Sequence, residues 1–217
     1  MNSPGQPARF PKVAVLDYGS GNLHSACRAL EAAGARVVLG SSHDELLRCD
    51  RLVVPGVGAF AACMRGLRAV GGDDLVHRWV AAGRPLLGIC VGHQILFERG
   101  LEHGHDTPGL GILPGTVERL TSARLPHMGW NGVEVAAGSR LLAGLAQERF
   151  YFVHSYGVHA TGDTASVTWA EHDGDRFVAA TERDGVCSTQ FHPEKSGAAG
   201  AGLLTNWLSL GDNTTMG

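Results

Sequence analysis

The segment GICVG, residues 88–92, places Cys90 between two glycines where an apolar run gives way to a helix-like one. A nucleophile elbow has this Gly-x-nucleophile-x-Gly form, because the nucleophile occupies a strained turn and the glycines relieve steric crowding. A helix predicted over 92–99 would direct N–H groups and its positive dipole end at the sulfur, which favours the thiolate. The segment therefore predicts a cysteine nucleophile. Most free cysteines are small buried apolar residues, and this is the interpretation we favour for Cys27, Cys49, Cys63 and Cys187.

A histidine and a glutamate near the other end of the chain would complete that chemistry. A cysteine nucleophile needs a base, and the base needs a group that orients it. His192 precedes a proline, which biases its backbone toward an extended conformation, in which residues two apart share a face. His192 and Glu194 would then point the same way, as a base and its orienting carboxylate do. The pattern predicts a Cys90-His192-Glu194 triad, although the His-Pro-Glu segment alone is more typical of a surface loop.

A glycine-rich turn, VPGVGAF over residues 54–60, follows another apolar run. Backbone N–H groups in such a turn can stabilise a developing oxyanion. The motif alone is weak, because ordinary strand-to-helix turns have the same composition.

The elements that must bring these residues together alternate between strands and helices in the first half. Apolar runs predict strands within 12–19, 36–40, 51–60 and 84–92, and segments with helical spacing lie between them. The runs over 12–19 and 51–60 end in turn residues. Such a pattern indicates an α/β fold with a mostly parallel central sheet and helices on both faces. The second half is strand-rich and ends in a helix over 198–210. Ligands of such sheets bind beyond the carboxyl ends of the strands.

Length, charge and cysteine usage restrict the class of protein. The 217 residues predict a disordered lead-in over 1–11 and a single domain over 12–211. The net charge of −3 gives no indication of nucleic acid or an anionic membrane as a partner. No apolar run approaches the roughly 20 residues of a membrane span. The five cysteines are irregularly spaced, which favours a reducing cytoplasm over a disulfide framework or a zinc site.

Together these motifs resemble the class I glutamine amidotransferases, whose fold is flavodoxin-like. The resemblance runs over most of the chain and in order, through the segments VPGVGAF, GICVGHQILFE, LPHMGWN, YFVHSY and TQFHPEKSG. The segments PHMGWN (126–131), DYGSGN (17–22) and HPEKS narrow it to the glutaminase subunits of imidazole glycerol phosphate synthases, which serve histidine biosynthesis.

The resemblance implies roles for further residues. Cys90 would attack the glutamine amide, His192 would shuttle the proton and Glu194 would orient His192, with a thioester as intermediate. Backbone N–H groups of Val57 or Gly58 and of Val91 would hold the oxyanion. Residues at the family's glutamine-binding positions are Gln94, Glu102, Ser155 and Tyr156. Without the resemblance we would interpret these four as polar surface or strand-end residues.

The resemblance also implies a partner and no cofactor or metal. Ammonia would pass to a cyclase subunit, a (β/α)8 barrel, within a heterodimer. Candidate interface residues are Asn22, Trp130, Tyr151 and Lys195. Trp130 is the strongest of them, because exposed tryptophans often anchor interfaces, although core packing is nearly as common for a tryptophan in a strand. We also expect the turn over 55–58 to be misaligned at rest and to rearrange when the partner binds its ligand.

Several alternatives remain open at this point. The segment DYGSGN is similar to a dinucleotide fingerprint but has His24 where a third glycine is required. A metal site would have to use histidines without a recognised ligand spacing, namely His93, His103, His105, His154 and His192. Amidotransferase subunits for anthranilate or pyridoxal phosphate synthesis and a stand-alone cysteine hydrolase are enzyme alternatives, against which PHMGWN argues. A non-catalytic module would lack a triad residue, and all three are present.

Overall fold

The structure is a computed structural model that describes residues 10–162 and 166–210. Most of the predicted lead-in, residues 1–9, lies outside the described residues, as does residue 211. The strands are β1 (Lys12–Leu16), β2 (Arg36–Gly40), β3 (Arg51–Gly56), β4 (Leu86–Cys90), β5 (Phe97–Glu102), β6 (His105–Pro108), β7 (Leu113–Arg119), β8 (His127–Gly132), β9 (Arg149–His154), β10 (Tyr156–Val158), β11 (Ser166–His172), β12 (Asp175–Arg183) and β13 (Val186–Thr189). The helices are α1 (Leu23–Ala32), α2 (His43–Leu46), α3 (Phe60–Ala69), α4 (Gly72–Ala81), α5 (Val91–Gln94) and α6 (Gly197–Ser209), with a 3-10 turn at Pro193–Lys195.

A seven-stranded sheet of order β11-β12-β13-β4-β3-β1-β2 forms the centre of the fold. Neighbouring strands from β13 to β2 are parallel, and β12 and β11 extend the sheet in antiparallel fashion. Every residue of β3 and β4 is buried, which is why their sequences are apolar without alternation. The predicted α/β class with a mostly parallel sheet is confirmed.

Helices complete the layers around this sheet. Helix α1 packs against α6, and α3 packs against α4. Large apolar side chains of both pairs are fully buried, among them Leu30, Leu67, Trp79 and Trp207. Within the described ranges, the helices are too short or too polar to cross a bilayer. The centre of the sheet is thus covered on both faces.

Two smaller sheets stand beside the carboxyl ends of the central strands. One has the order β10-β7-β5-β6, and the other is the antiparallel pair β8-β9. The helix predicted over 92–99 is wrong in its second half, because α5 ends at Gln94 and residues 97–102 form β5. Phe97 pairs with Leu113 of β7, and Gly100 with Thr107 of β6. Pairing partners distant in sequence thus override the local helical spacing.

The apolar runs over 12–19 and 51–60 form strands that end in turn residues, as predicted. Strand β1 stops at Leu16 and β3 at Gly56, and the chain then turns through glycines with positive φ, Gly19 at 79° and Gly58 at 99°. Glycine adopts this left-handed region at little cost. Both turns lie at the edge of the sheet where β4 ends.

Candidate active site

Cys90 lies at the junction of β4 and α5 with a backbone conformation of φ 57° and ψ −112°. An L-residue with positive φ is strained, and such strain is typical of a nucleophile elbow. The side chain is 4% exposed. The helix that follows has only four residues, so its dipole is weaker than that of the eight-residue helix predicted.

Three glycines let β3 and the elbow approach each other. A Cβ at Gly92 would lie 1.8 Å from the Val54 carbonyl oxygen, and one at Gly88 would lie 2.7 Å from the Gly92 oxygen. At Gly56 a Cβ would meet the Gly92 nitrogen at 2.7 Å. Real Cβ atoms do not tolerate such distances. Gly92 and Gly56 are therefore needed for the packing of the elbow against β3, and Gly88 for the close turn within the elbow itself.

The base predicted for Cys90 is held by the predicted carboxylate. His192 Nδ1 lies 2.7 Å from Glu194 Oε1, and the two side chains are 3% and 6% exposed. The route to this contact differs from the prediction, because Glu194 lies in the 3-10 turn after His192 rather than in extended chain. The backbone of His192 is anchored by its N–H to the Tyr151 carbonyl at 2.9 Å, and its carbonyl accepts from Ser196 Oγ at 2.6 Å.

The electrostatics of His192 suit proton transfer. Burial lowers its pKa, but hydrogen bonding and charge interaction with Cys90 and Glu194 outweigh burial and raise the pKa to about 9. Nε2 is buried and lacks a hydrogen-bond partner of good geometry among the described residues, and Cys90 is the neighbour that interacts with the ring. A histidine oriented by a carboxylate and adjacent to a cysteine is the arrangement that nucleophilic catalysis requires.

The glycine-rich turn after β3 lies beside the elbow, and its polar groups are already bonded. The Val57 N–H donates to Ser20 Oγ at 3.2 Å, and Ser20 Oγ donates to the Val57 carbonyl at 2.9 Å. Gly58 follows with a φ of 99°, and Val91, as the first residue of α5, has an N–H with no acceptor inside the helix. The predicted oxyanion donors are therefore neighbours, but that of Val57 is engaged elsewhere.

A cavity of about 410 Å³ opens at Cys90, and all four predicted glutamine-binding residues line it, namely Gln94, Glu102, Ser155 and Tyr156. Gln94 is only 4% exposed, so it is not a helix-surface residue, and its Nε2 donates to the Tyr156 carbonyl at 2.9 Å. Glu102 lies at the end of β5, where one carboxylate oxygen accepts the Phe60 N–H at 2.7 Å. The cavity thus presents a carboxylate, amide groups and the sulfur to a common ligand.

The predicted interface residues lie on or near the rim of the cavity at Cys90. Asn22 and Lys195 line the cavity. Trp130 is 49% exposed and contacts the Tyr151 ring at a centroid distance of 6.2 Å, and the Lys195 ammonium lies 6.0 Å from the Tyr151 ring. Met128, on the same strand as Trp130, is 61% exposed. The half-exposed indole is therefore linked through Tyr151 to a cation that lines the cavity.

The sequence did not predict the residues that hold the turn after β3 and the strands β8 and β9 in place. Ser20 bonds the turn after β3, and the Tyr18 hydroxyl donates to the Pro55 carbonyl at 2.5 Å. His127 and His154 form a buried pair, with Nδ1 of the first 3.0 Å from Nε2 of the second. All four lie in DYGSGN, PHMGWN or YFVHSY, segments that contributed only to the resemblance. Within the described ranges, no three His, Cys, Asp or Glu side chains are grouped to hold a metal.

Comparison with known sequences is consistent with this geometry. The family described as glutamine amidotransferase class-I matches residues 14–209. The chain is 61% identical over 198 residues to imidazole glycerol phosphate synthase subunit HisH of Cutibacterium acnes, covering 91% of this chain and 96% of that protein. It is 58% identical over 207 residues to subunit HisH of Corynebacterium diphtheriae, covering 92% and 99%.

Solved structures share the fold at low sequence identity. A crystal structure of a glutamine amidotransferase superposes with a TM-score of 0.72 at 23% identity, covering 90% of this chain and 96% of that chain. The structure of PurLQS from Thermotoga maritima gives a TM-score of 0.69 at 21% identity, covering 92% and 98%. The chain therefore belongs to the class-I glutamine amidotransferases and, within them, to the family of imidazole glycerol phosphate synthase HisH subunits.

Proposed function

We propose that the chain is the glutaminase subunit of an imidazole glycerol phosphate synthase. It hydrolyses glutamine to glutamate and ammonia and passes the ammonia to a cyclase subunit in histidine biosynthesis. The observation that carries the proposal is an elbow cysteine beside a histidine whose Nδ1 lies 2.7 Å from a buried glutamate, in a chain 61% identical to a HisH subunit. The reaction needs no cofactor or metal, since sulfur, imidazole and water supply its chemistry.

The chemistry takes place in two halves. Cys90 Sγ attacks the side-chain carbonyl carbon of glutamine, and the C–N bond breaks as His192 gives a proton to the departing amine, which leaves as ammonia. Water then attacks the thioester while His192 accepts a proton, which releases glutamate and restores the sulfur. Glu194 keeps Nδ1 protonated and Nε2 facing the reacting atoms. A histidine whose pKa is raised to about 9 is protonated at neutral pH and can act as the acid of the first half.

Oxyanion stabilisation is assigned to N–H groups of Val57 or Gly58 and of Val91. Because the Val57 N–H is bonded to Ser20 Oγ, this donor can serve the reaction only after the turn over 55–58 rearranges. We assign that rearrangement to ligand binding by the partner. The positive φ of Gly58 supports it, since glycine permits a large backbone change.

Glutamine binding is assigned to Gln94, Glu102, Ser155 and Tyr156. All four line the cavity at the sulfur, and Glu102 offers a carboxylate to the α-ammonium group of the substrate. One oxygen of Glu102 already accepts the Phe60 N–H, which fixes the carboxylate at the start of α3. The cavity volume of about 410 Å³ is of the size that holds a small molecule.

The partner is assigned as a (β/α)8-barrel cyclase subunit in a heterodimer, with no nucleic acid or membrane involved. It would cover the cavity mouth through Asn22, Trp130, Tyr151 and Lys195. Support comes from the half-exposed indole of Trp130, because interface anchors are typically aromatic. A partner subunit bound over the cavity opening would prevent ammonia from escaping into the solvent. The five free cysteines, one of which is the proposed catalytic Cys90, favour a reducing cytoplasm.

The test is glutamate release from glutamine by this chain alone, with its cognate cyclase subunit, and with that subunit and its nucleotide ligand. We expect strong release only in the complete complex and none with Cys90→Ala. Cys27→Ala is the matched control, because this partly buried thiol lies outside the cavity, and it should leave release unchanged. Activity that survives Cys90→Ala, or a complete complex without activity, would overturn the proposal.

A further inference from the structure

Two buried histidines form a hydrogen-bonded pair beside the cavity, outside the triad. His127 on β8 and His154 on β9 are directly opposite each other in the antiparallel pairing. They are 4% and 7% exposed, and His127 Nδ1 lies 3.0 Å from His154 Nε2. His154 also lines the cavity at Cys90. The pair therefore joins the strand that bears Trp130 to the wall of the site.

Aromatic neighbours hold both rings in place. The His127 ring is stacked on Phe152 at a centroid distance of 4.8 Å and on His172 at 4.2 Å. The His154 ring meets Phe177 edge to face at 4.8 Å. Ring rotation is thus restricted, and the direction of each hydrogen bond is set by which nitrogen carries the proton.

The acceptor at the end of the pair fixes those protons. His154 Nδ1 lies 2.9 Å from the Tyr156 carbonyl oxygen, which can only accept, so Nδ1 carries the hydrogen. Burial lowers the pKa of His154 to about 3, and burial followed by the charge of His172 lowers the pKa of His127 to about 4, so both rings are neutral. His154 Nε2 is then an acceptor, and His127 Nδ1 must donate to it. His127 Nε2 is left to accept from Asn131 Nδ2 at 3.4 Å.

The chain of donors ends on a carbonyl that also belongs to the substrate cavity. The Tyr156 oxygen accepts a second hydrogen bond, from Gln94 Nε2 at 2.9 Å. Gln94 also donates to Gln190 Oε1 at 2.9 Å, and the preceding carbonyl, of Ser155, accepts the Leu120 N–H at 3.0 Å. The backbone that presents Ser155 and Tyr156 is therefore held from β8 through His127 and His154, and from α5 through Gln94.

We propose that His127 and His154 are positioning residues for substrate binding: their directed hydrogen bonds hold the Tyr156 carbonyl, and thereby Ser155, Tyr156 and Gln94, in the geometry that receives glutamine. The inference rests on the proposed glutaminase function. It assigns a role to the first histidine of PHMGWN and to the histidine of YFVHSY. Neither histidine touches the reacting atoms, so the expected effect is on glutamine affinity and not on the chemical steps.

The test compares three substitutions in the complex with the cyclase subunit and its nucleotide ligand. His127→Phe keeps a stacking ring but removes the donor to His154, and we expect the KM for glutamine to rise about tenfold with kcat within about twofold. His127→Asn, whose amide nitrogen can take the place of Nδ1, should restore most of the affinity. The matched control is His172→Phe, which keeps a ring stacked on His127. The His172 side chain makes no hydrogen bond to His127 or His154, so this substitution should leave the KM for glutamine unchanged.

A measurement without substrate completes the design. The ¹⁵N shifts of the His154 ring in the full chain should show the Nδ1–H form in the wild type and in His127→Phe, because the Tyr156 carbonyl remains. In His127→Phe the Nε2 signal should move toward that of an acceptor nitrogen without a donor. A wild-type His154 protonated at Nε2, or unchanged KM in His127→Phe, would overturn the inference while glutamate release by the wild type left the proposed function intact. A wild-type complex that releases no glutamate would overturn both, and the wild-type control identifies that case.

Discussion

Replacing Glu194 by glutamine tests whether the buried carboxylate sets the protonation of His192. The substitution keeps the shape and an acceptor oxygen but removes the charge 2.7 Å from Nδ1. A charge-assisted hydrogen bond between buried groups contributes ~1.5–3 kcal/mol, and 1.36 kcal/mol corresponds to one pH unit, so the pKa of His192 should fall by about one to two pH units. The direction is downward, because the carboxylate stabilises the protonated ring and its loss favours the neutral form.

The assay is the pH dependence of kcat/KM for glutamine in the complete complex, from about pH 6 to about pH 10. Protonated His192 supplies the proton that ammonia carries away, so the rate should fall above the pKa, near pH 9 in the wild type. In Glu194→Gln that fall should begin about one to two pH units lower, with a loss of about 2- to 10-fold at pH 8 and about 5- to 50-fold at pH 9. Glu134→Gln, which changes an exposed carboxylate paired with Arg176, is the control. An alkaline limb that stays in place in Glu194→Gln would refute this account of His192.

Three further substitutions test the packing of the elbow, the turn over 55–58 that is proposed to hold the oxyanion, and the proposed interface with the cyclase subunit. Gly92→Ala places a Cβ 1.8 Å from a carbonyl oxygen of β3 and should lower the free energy of unfolding by about 3 kcal/mol or more, whereas Gly40→Ala, in open space, should change the denaturation midpoint little. Ser20→Ala removes the hydroxyl that holds the oxyanion turn and should raise glutamate release by the free chain a few-fold, about the effect of one hydrogen bond; unchanged release would contradict the assigned resting state. Trp130→Ala should weaken binding of the cyclase subunit about 30-fold, measured by titration calorimetry, whereas Phe10→Ala, which removes a comparably exposed ring, should not. If Trp130→Ala and Phe10→Ala changed the affinity for the cyclase subunit equally, the assignment of Trp130 to the interface would be wrong.

The candidate catalytic residues could be predicted from the sequence because the conformation at each of them is constrained locally. An elbow must have small residues on both sides of its nucleophile, and Gly88 and Gly92 show that need directly. The contact between His192 and Glu194 was also predicted, since two residues so close in sequence meet in more than one backbone conformation. An extended chain was expected to place His192 and Glu194 on the same face. The 3-10 turn that follows His192 brings the two side chains together instead.

The elements with distant partners were predicted less well. The run after the elbow has helical spacing, yet from Phe97 onward it pairs with β7 and β6. The helical spacing of the run does not contain that information, because both partners follow the run in the chain, β6 across a tight turn and β7 further on, and their pairing determines the conformation. The same reason explains why Glu102 was predicted as a glutamine-binding residue only through the resemblance and would otherwise be interpreted as a solvated charge. It lines the cavity only because β5 brings it to the start of α3.

The sequence by itself determined the fold class and the family, and it predicted a nucleophile, a base and an orienting carboxylate, since these predictions follow from apolar periodicity and short motifs. Only the tertiary structure decided which polar groups are hydrogen-bonded, which partner donates in each bond, and which side chains stay exposed. It bonds the Val57 N–H to Ser20, aligns His127 and His154 so that their donors end on the Tyr156 carbonyl, and leaves Trp130 half exposed. Hydrogen-bond direction and burial depend on neighbours brought together across the sheets, and a linear pattern does not specify those neighbours.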